Sequence, residues 1–412
     1  MKYKLIIRDN RNNVLLKSDK TIPYICKERS HPAYVADLVE EVKSQLGLEI
    51  IICYCHSFMD EAIYVARLLS SSNQEMRFDI KDNVSSKEQK DLIRNISDTD
   101  LHEWAQFNWY NDLTKYLNNI FEDYEIEQVK TSSLSTVIKI KADKNYYLKK
   151  VPSFFHHELT ITNYLSTAYP QNVPEIIKID KANSILITEE IALPLLEKSN
   201  EIEVWINALN EYAKMQLKEI CNVNDLISLG IPDRRLERLL TQIDIITNHI
   251  AIVATNKEYS LTKSEIEEWN ILVPKMRRSI ISQKGLMPET IEHGDFYLAN
   301  IASDKEGAVF FDFTDISVTH PFFSLITFLS ECEFSEGQKE FLIEAYLSNF
   351  SKFYELTKLR KIYEEVSRIG EIHLAYTYLM ITKNVHDRFR WEVEKNFPSC
   401  IRHVIKAYQG GE

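Results

Sequence analysis

Apolar and polar residues alternate over much of the first half of the chain and recur at three- and four-residue intervals over the second, so the pattern predicts strands first and helices after. Residues 4–7 and 13–17 read as strands around a turn at 9–12. An amphipathic helix follows over 34–46, with Val35, Leu38, Val42 and Leu46 on one face and Gly47 as its stop. Residues 48–55 read as the next strand, followed by an apolar stretch at 61–69, with Phe78 and Ile80 beyond it. Residues 101–121 read as a helix whose Trp104, Phe107, Trp109 and Tyr110 form a docking face. A second hairpin is expected from 135–141 and 145–151, then a helix carrying Glu158, Ile161, Tyr164 and Leu165, then strands at 176–179 and 184–188. Helical periodicity takes over at 201–217, 234–254, 263–283, 338–350, 352–367 and 371–389. Only 291–311 interrupts it, where apolar segments flank the turn Asp304-Lys305-Glu306-Gly307. The expectation is an α+β chain with four parts: an α/β domain over 1–100, a linker helix over 101–125, a small β-rich lobe over 126–191 and a large helical lobe over 192–412.

Bulk properties narrow the partners. With 49 basic and 61 acidic residues the 412-residue chain carries a net charge of −12, which argues against a nucleic-acid partner. That charge suits a cationic small molecule, and it equally serves solubility. Six scattered cysteines without the spacing of a disulfide framework read as reduced thiols. The opening MKYKLIIRDN reaches charge too early for a signal peptide, and no apolar run approaches the roughly 18 residues of a membrane span. A cytoplasmic location without membrane attachment is the expectation.

The interruption at 291–311 carries the chemistry. HGDFYLAN sets His293, Asp295 and Asn300 in the order H-x-D-x-x-x-x-N, and Asp312 follows the apolar pair Phe310-Phe311. Such spacing lets Asp295 face a substrate hydroxyl while a hairpin brings Asn300 and Asp312 together around a magnesium ion on nucleotide phosphates. The segment resembles the catalytic stretch of the aminoglycoside phosphotransferase and choline kinase group, which shares H-G-D-x-x-x-x-N and D-[FW]-x-D, here Asp312 to Asp315. The resemblance implies a bilobal protein-kinase-like fold and transfer of the γ-phosphate of ATP or GTP to a hydroxyl. In that scheme Asp295 is the catalytic residue, Asn300 and Asp312 hold Mg2+, and His293 and Asp315 support the loop.

The same resemblance assigns a lysine held by a glutamate. Strand alternation sets Lys149 and Lys150 on opposite faces and does not choose between them. The group's F-K-x-V-P pattern does, since LKKVPSFFHHE sets Lys149 before Val151-Pro152 and Glu158 on the next helix. In KTSSLST no glycine stands where protein kinases have a glycine-rich loop, so Ser132, Ser133 and Ser135 are the candidates to cover the phosphates. Glu189 and Ile191 fall at the hinge, where backbone groups would meet the nucleotide base. HPFFSL, from His320, stands where relatives have D-P-x-x-D-L, and both aspartates are replaced. Glu331, Glu333, Glu336 and Glu371 are candidates to receive amines of an acceptor, and a plain role as solvated helix ends explains the same residues as well.

The run ADLVEEVKSQLGLEI resembles the helix of Nudix hydrolases. Glu41 falls on one of its glutamates, but Ser44 and Gln45 stand where metal-binding carboxylates belong. The expectation is a Nudix-like domain without hydrolase chemistry, serving packing, dimerisation or substrate shaping; an unrelated α/β domain fits the same residues. The rival functions are a pseudokinase-type nucleotide-binding module and a protein kinase, the latter opposed by His-Gly-Asp in place of His-Arg-Asp.

Overall fold

The computed structural model describes residues 1–9, 11, 13–96, 101–251, 258–330 and 334–409. Parts of three expectations lie outside the described residues: Asn10 and Asn12 of the first turn, 252–254 of the helix over 234–254, and the acidic Glu331 and Glu333. The chain forms two compact units, one of Met1–Pro152 with Ala182–Thr188 and one of Ser153–Lys181 with Glu189–Glu412.

The first unit is built mainly of strands. β1 (Lys2–Arg8), β2 (Val14–Leu16), β3 (Tyr24–Cys26), β4 (Leu48–Phe58), β5 (Glu61–Ser71) and β6 (Arg77–Asp79) make a mixed sheet in the order β4-β5-β1-β2-β6, with β3 also on β1. Leu5, Ile6 and Ile7 of β1 are all buried, and β1 pairs parallel with β5, as a continuous apolar run favours. Helix α1 (Ala36–Leu46) ends at Gly47 in the left-handed conformation (φ 64°), and its Glu41 is hydrogen-bonded by Gln45. Cys53 and Cys55 lie buried in β4, neither in a disulfide. After α2 (Lys87–Asn95), the aromatic stretch expected as one helix is a short 3-10 turn, Glu103–Ala105, followed by α3 (Trp109–Leu117). The break lets Trp104 turn inward, where its indole donates to the Ser132 carbonyl at 2.9 Å.

Strands β7 (Glu125–Thr131), β8 (Thr136–Lys141) and β9 (Asn145–Lys150) form an antiparallel meander. Buried Gln128 of β7 joins it to the first sheet, because its side-chain amide accepts from Ile52 N–H and donates to Ile52 C=O, both at 2.8 Å. A side chain thus acts as a strand neighbour, and β4 and β7 belong to one unit. Trp104, Trp109, Leu113 and Leu117 close over Ile138, Ile140, Tyr146 and Leu148 on one face of the meander.

In the second unit, α4 (His157–Ala168), β10 (Ile176–Asp180) and the end of β11 (Ile185–Glu189) precede a helical body. That body comprises α5 (Ile202–Glu219), α6 (Val223–Ser228), α7 (Leu236–His249) and α8 (Lys263–Gln283), then α9 (Phe323–Ser330), α10 (Glu336–Ser348), α11 (Leu356–Asn384) and α12 (Asn396–Gln409). Between α8 and α9 run β12 (Thr290–Glu292), β13 (Ile301–Ser303), β14 (Ala308–Phe310) and β15 (Ser317–Thr319). The two helices expected over 352–389 are one, α11, of 29 residues. Gly370 looks like a break in sequence, yet it is a contact point: a Cβ there would fall 2.1 Å from Ile326 Cδ1 of α9. No helix among the described residues is long and apolar enough to cross a membrane.

Candidate active site

Two small ladders fix the segment from Thr290 to Thr319. β12 pairs antiparallel with β15, Ile291 opposite Val318, and β13 pairs with β14, Ile301 opposite Phe310. The β13–β14 turn closes because Asp304 Oδ1 accepts the amides of Glu306 (2.8 Å) and Gly307 (2.9 Å). One residue beyond the ladder, Phe311 N–H donates to Asn300 C=O at 3.2 Å, so Asn300 and Asp312 emerge from the same end of the hairpin.

Asp295 and Asn300 meet directly. The Asn300 amide donates to both the backbone carbonyl and a carboxylate oxygen of Asp295, each at 2.9 Å, which leaves Asn300 Oδ1 as an acceptor. Both residues are half-buried. Asp312 has left-handed backbone (φ 64°, ψ 62°), a conformation that Asp and Asn tolerate better than other non-glycine residues, and its Oδ1 accepts from Thr314 Oγ1 at 2.6 Å. An amide oxygen and a carboxylate are hard donors of the kind Mg2+ takes when phosphates and water complete its octahedron, so this pair fits the ion. Among the described residues no group of three His, Cys, Asp or Glu side chains is arranged to hold a metal.

Around this pair the loop is held by buried polar groups. His293 is fully buried, its Nε2 lies 3.1 Å from the Phe311 carbonyl, and burial depresses its pKa to about 4, so the neutral ring donates there. Gly294 has φ +82°, and a Cβ on it would fall 2.1 Å from the Asp315 carbonyl oxygen, so only glycine fits. Beneath it, Glu292 is 1% exposed. Its Oε1 accepts from Gly294 N–H at 2.8 Å and from Ser324 Oγ at 3.4 Å, while Oε2 accepts from Ser317 Oγ at 3.4 Å and lies 3.3 Å from His373 Nε2 on α11. Burial alone would raise the Glu292 carboxyl, but His373 and the Gly294 amide hold it below the usual range. Buried Arg234, hydrogen-bonded to Thr377, lies in the field of both Asp315 and Glu292 and offsets their charge.

Of the remaining candidates, Glu158 is 2% exposed on α4. The preceding His157, pushed to about 4 by burial, places its Nε2 2.8 Å from the Thr314 carbonyl and ties α4 to the turn after Asp312. In the first unit, Lys149 is half-buried on the face of β9 opposite Tyr146 and Leu148. Lys150, 2% exposed, pairs with Glu103 at 2.9 Å and donates to the Asn183 carbonyl. The serine turn is tied up internally: Ser132 Oγ accepts the amides of Leu134 (3.2 Å) and Ser135 (3.4 Å), and Ser132, Ser133 and Ser135 are all buried. Glu189 N–H donates to the Glu175 carbonyl at 2.9 Å, and Ile191 is half-buried. His320 is buried, burial pushes its pKa to about 3, and its Nδ1 accepts from Phe322 N–H at 3.2 Å at the start of α9.

Sequence reasoning missed Glu292, Ser317, Ser324, Arg234, His157 and His373. The available signal was a charged residue inside an apolar strand, Glu292 after Ile291, and a histidine on the apolar face of a long helix. Partners 81 residues apart could not be matched from that.

No protein-family model matches the sequence, and comparison with curated proteins finds no match. Solved structures do match. A choline kinase from Cryptosporidium parvum superposes with a TM-score of 0.52 at 11% identity, covering 73% of this chain and 95% of that one. An ethanolamine kinase from Plasmodium vivax gives 0.51 at 14% identity, covering 78% and 94%. An ADP-bound aminoglycoside phosphotransferase of the 2″ class gives 0.51 at 16% identity, covering 72% and 98%. The chain shares the fold of these proteins, a strand-rich part followed by a helical one, with the kinase-like order that the sequence implied.

Proposed function

We propose that this chain, which has the fold common to choline, ethanolamine and aminoglycoside kinases, is a small-molecule phosphotransferase that moves the γ-phosphate of ATP or GTP to an alcohol. The observation that carries the reading is the grouping of Asp295, Asn300 and Asp312 at one end of a hairpin, with the Asn300 amide turned to Asp295. In this reading the Asp295 carboxylate accepts the hydroxyl proton or orients the nucleophile. Asn300 Oδ1 and the Asp312 carboxylate would hold Mg2+, which when bound neutralises charge on the phosphates. Lys149 grips the phosphates and Glu158 holds the lysine, on the strength of the sequence resemblance. His293 and Asp315 keep the loop in shape.

The solved structures superposed include choline and ethanolamine kinases and a complex with GDP and kanamycin, so amine-bearing alcohols are the first acceptors to try. The net charge of −12 suits a cationic acceptor. The N-terminal sheet, joined to β7 through Gln128, is assigned the packing role expected of a domain without hydrolase carboxylates. The test is coupled turnover with ATP and GTP plus Mg2+ against amino alcohols, sugars and aminoglycosides. Transfer that survives both Asp295→Ala and Asp312→Asn would move the site elsewhere. A nucleotide-binding module without turnover is the second reading, and Mg2+-dependent nucleotide binding with no transfer to any acceptor would select it.

A further inference from the structure

The catalytic turn is organised by a carboxylate that the reaction does not use. Glu292 ends β12, one residue before His293, and is 1% exposed. Its two oxygens gather four segments of the second unit: the Gly294 amide in the turn, Ser317 on β15, Ser324 on α9 and His373 on α11. A surface role is ruled out by burial, and a packing role needs no such set of donors. Burying a carboxylate is costly unless hydrogen bonds surround it, and here Gly294 N–H and Ser324 Oγ donate to one oxygen and Ser317 Oγ to the other, with His373 Nε2 3.3 Å away.

The target of the shortest of these bonds is what gives the cluster its meaning. Gly294 N–H, at 2.8 Å, belongs to the residue that reverses the chain at φ +82° and immediately precedes Asp295. The amide before it, His293 N–H, donates to Ser324 Oγ at 3.4 Å, and Ser324 itself donates to Glu292. Successive amides of the turn are therefore received by one connected pair, Glu292 and Ser324. Ser324 stands at the second aspartate position of the D-P-x-x-D-L pattern, so the carboxylate absent from α9 is present one strand away, at position 292.

We infer that Glu292 is a positioning residue: its carboxylate, seated by Ser324, Ser317 and His373, receives the turn amide and so sets the direction in which Asp295 projects. This rests on the phosphotransferase reading for its catalytic consequence, but not for the clamp itself. Asp295 is reached only through backbone, so loss of Glu292 shifts the orientation of the acidic group rather than binding of nucleotide. A misplacement of about 1 Å at a reacting group is enough to cost on the order of a hundredfold in rate.

The experiment compares the full-length wild type with E292Q, E292A and the double variant E292A/S324D, which returns a carboxylate from the α9 side. Turnover, melting temperature and hydrogen exchange of the peptide containing Gly294 are measured for each. The expected result is a kcat lowered about tenfold to a hundredfold in E292A, with KM for nucleotide within about threefold, and faster exchange at the Gly294 peptide. E292Q, which keeps an acceptor oxygen, loses less on both counts, and adding S324D to E292A recovers both. Unchanged kcat and unchanged exchange in E292A, with only the melting temperature lowered, would overturn the inference by reducing Glu292 to packing. So would a folded double variant that recovers neither. Should E292A fail to fold, E292Q against E292Q/S324D is read in the same way. If the wild type transfers phosphate to nothing, the phosphotransferase reading fails alone: protection from exchange that is lost in E292A and regained with S324D still supports the clamp, and protection that never changes overturns it.

Discussion

The β8–β9 strands of the first unit and the Thr290–Thr319 segment of the second carry candidate residues on opposite kinds of backbone. On β9 the strand is regular, and Lys149 and Lys150 differ in the face they take: one is half-buried, the other is sealed against Glu103 and Asn183. In the catalytic segment the backbone is irregular, with Gly294 at φ +82° and Asp312 at φ +64°, and the backbone itself restricts which residue fits. Regular backbone leaves identity free and lets burial sort the roles. Irregular backbone binds identity to position, so a motif there can be read locally.

The largest effect should come from the irregular side. Asp312→Asn keeps a residue that tolerates left-handed backbone while removing the charge, so phosphate transfer is expected to fall by about a thousandfold or more with the melting temperature nearly unchanged. Equal losses of activity and stability would mean that Asp312 serves the fold. Gly294→Ala tests the backbone alone: the Cβ meets the Asp315 carbonyl, and a cost of about 3 kcal/mol or more is expected in denaturant unfolding.

The lysine pair sharpens the other side. Lys149→Ala should lower turnover strongly at constant stability, whereas Lys150→Ala should cost about 1–2 kcal/mol of stability and leave turnover of the folded protein near wild type. The opposite ranking would show that the buried lysine is the functional one. The smallest effect concerns pH. His157 and His293 sit at about 4 and His320 at about 3 when folded, below their ordinary 6.5. The unfolded chain therefore binds more protons below about pH 6.5, and stability should fall as pH drops from there toward 4. Replacing His320 by Asn should flatten that fall in a pH series of melting temperatures.

What could be read from the sequence follows the same division. The β13–β14 hairpin was legible because Asp304 and Gly307 write the turn locally, and with it the grouping of Asn300 and Asp312. Helix α1 was legible through its apolar face and Gly47. The β12–β15 pairing was not, because three-residue strands 25 residues apart leave no periodicity to find. Nor was the serine turn, whose hydroxyl groups looked available in KTSSLST until Ser132 was seen to spend its own on the turn. The unity of α11 was hidden by Gly370, since a glycine chosen for close helix contact and a glycine that ends a helix are the same letter.

That unbroken helix also makes the second unit sensitive to count. His373 reaches Glu292 from a point 17 residues past the first residue of α11, Leu356, with Gly370 seated on Ile326 three residues earlier. An α-helix turns about 100° per residue, so inserting or deleting one residue between Gly370 and His373 would swing the imidazole away from the carboxylate while the glycine stayed seated. Composition along α11 can drift, but over those three residues its length is a gauge, and the catalytic turn is set against it.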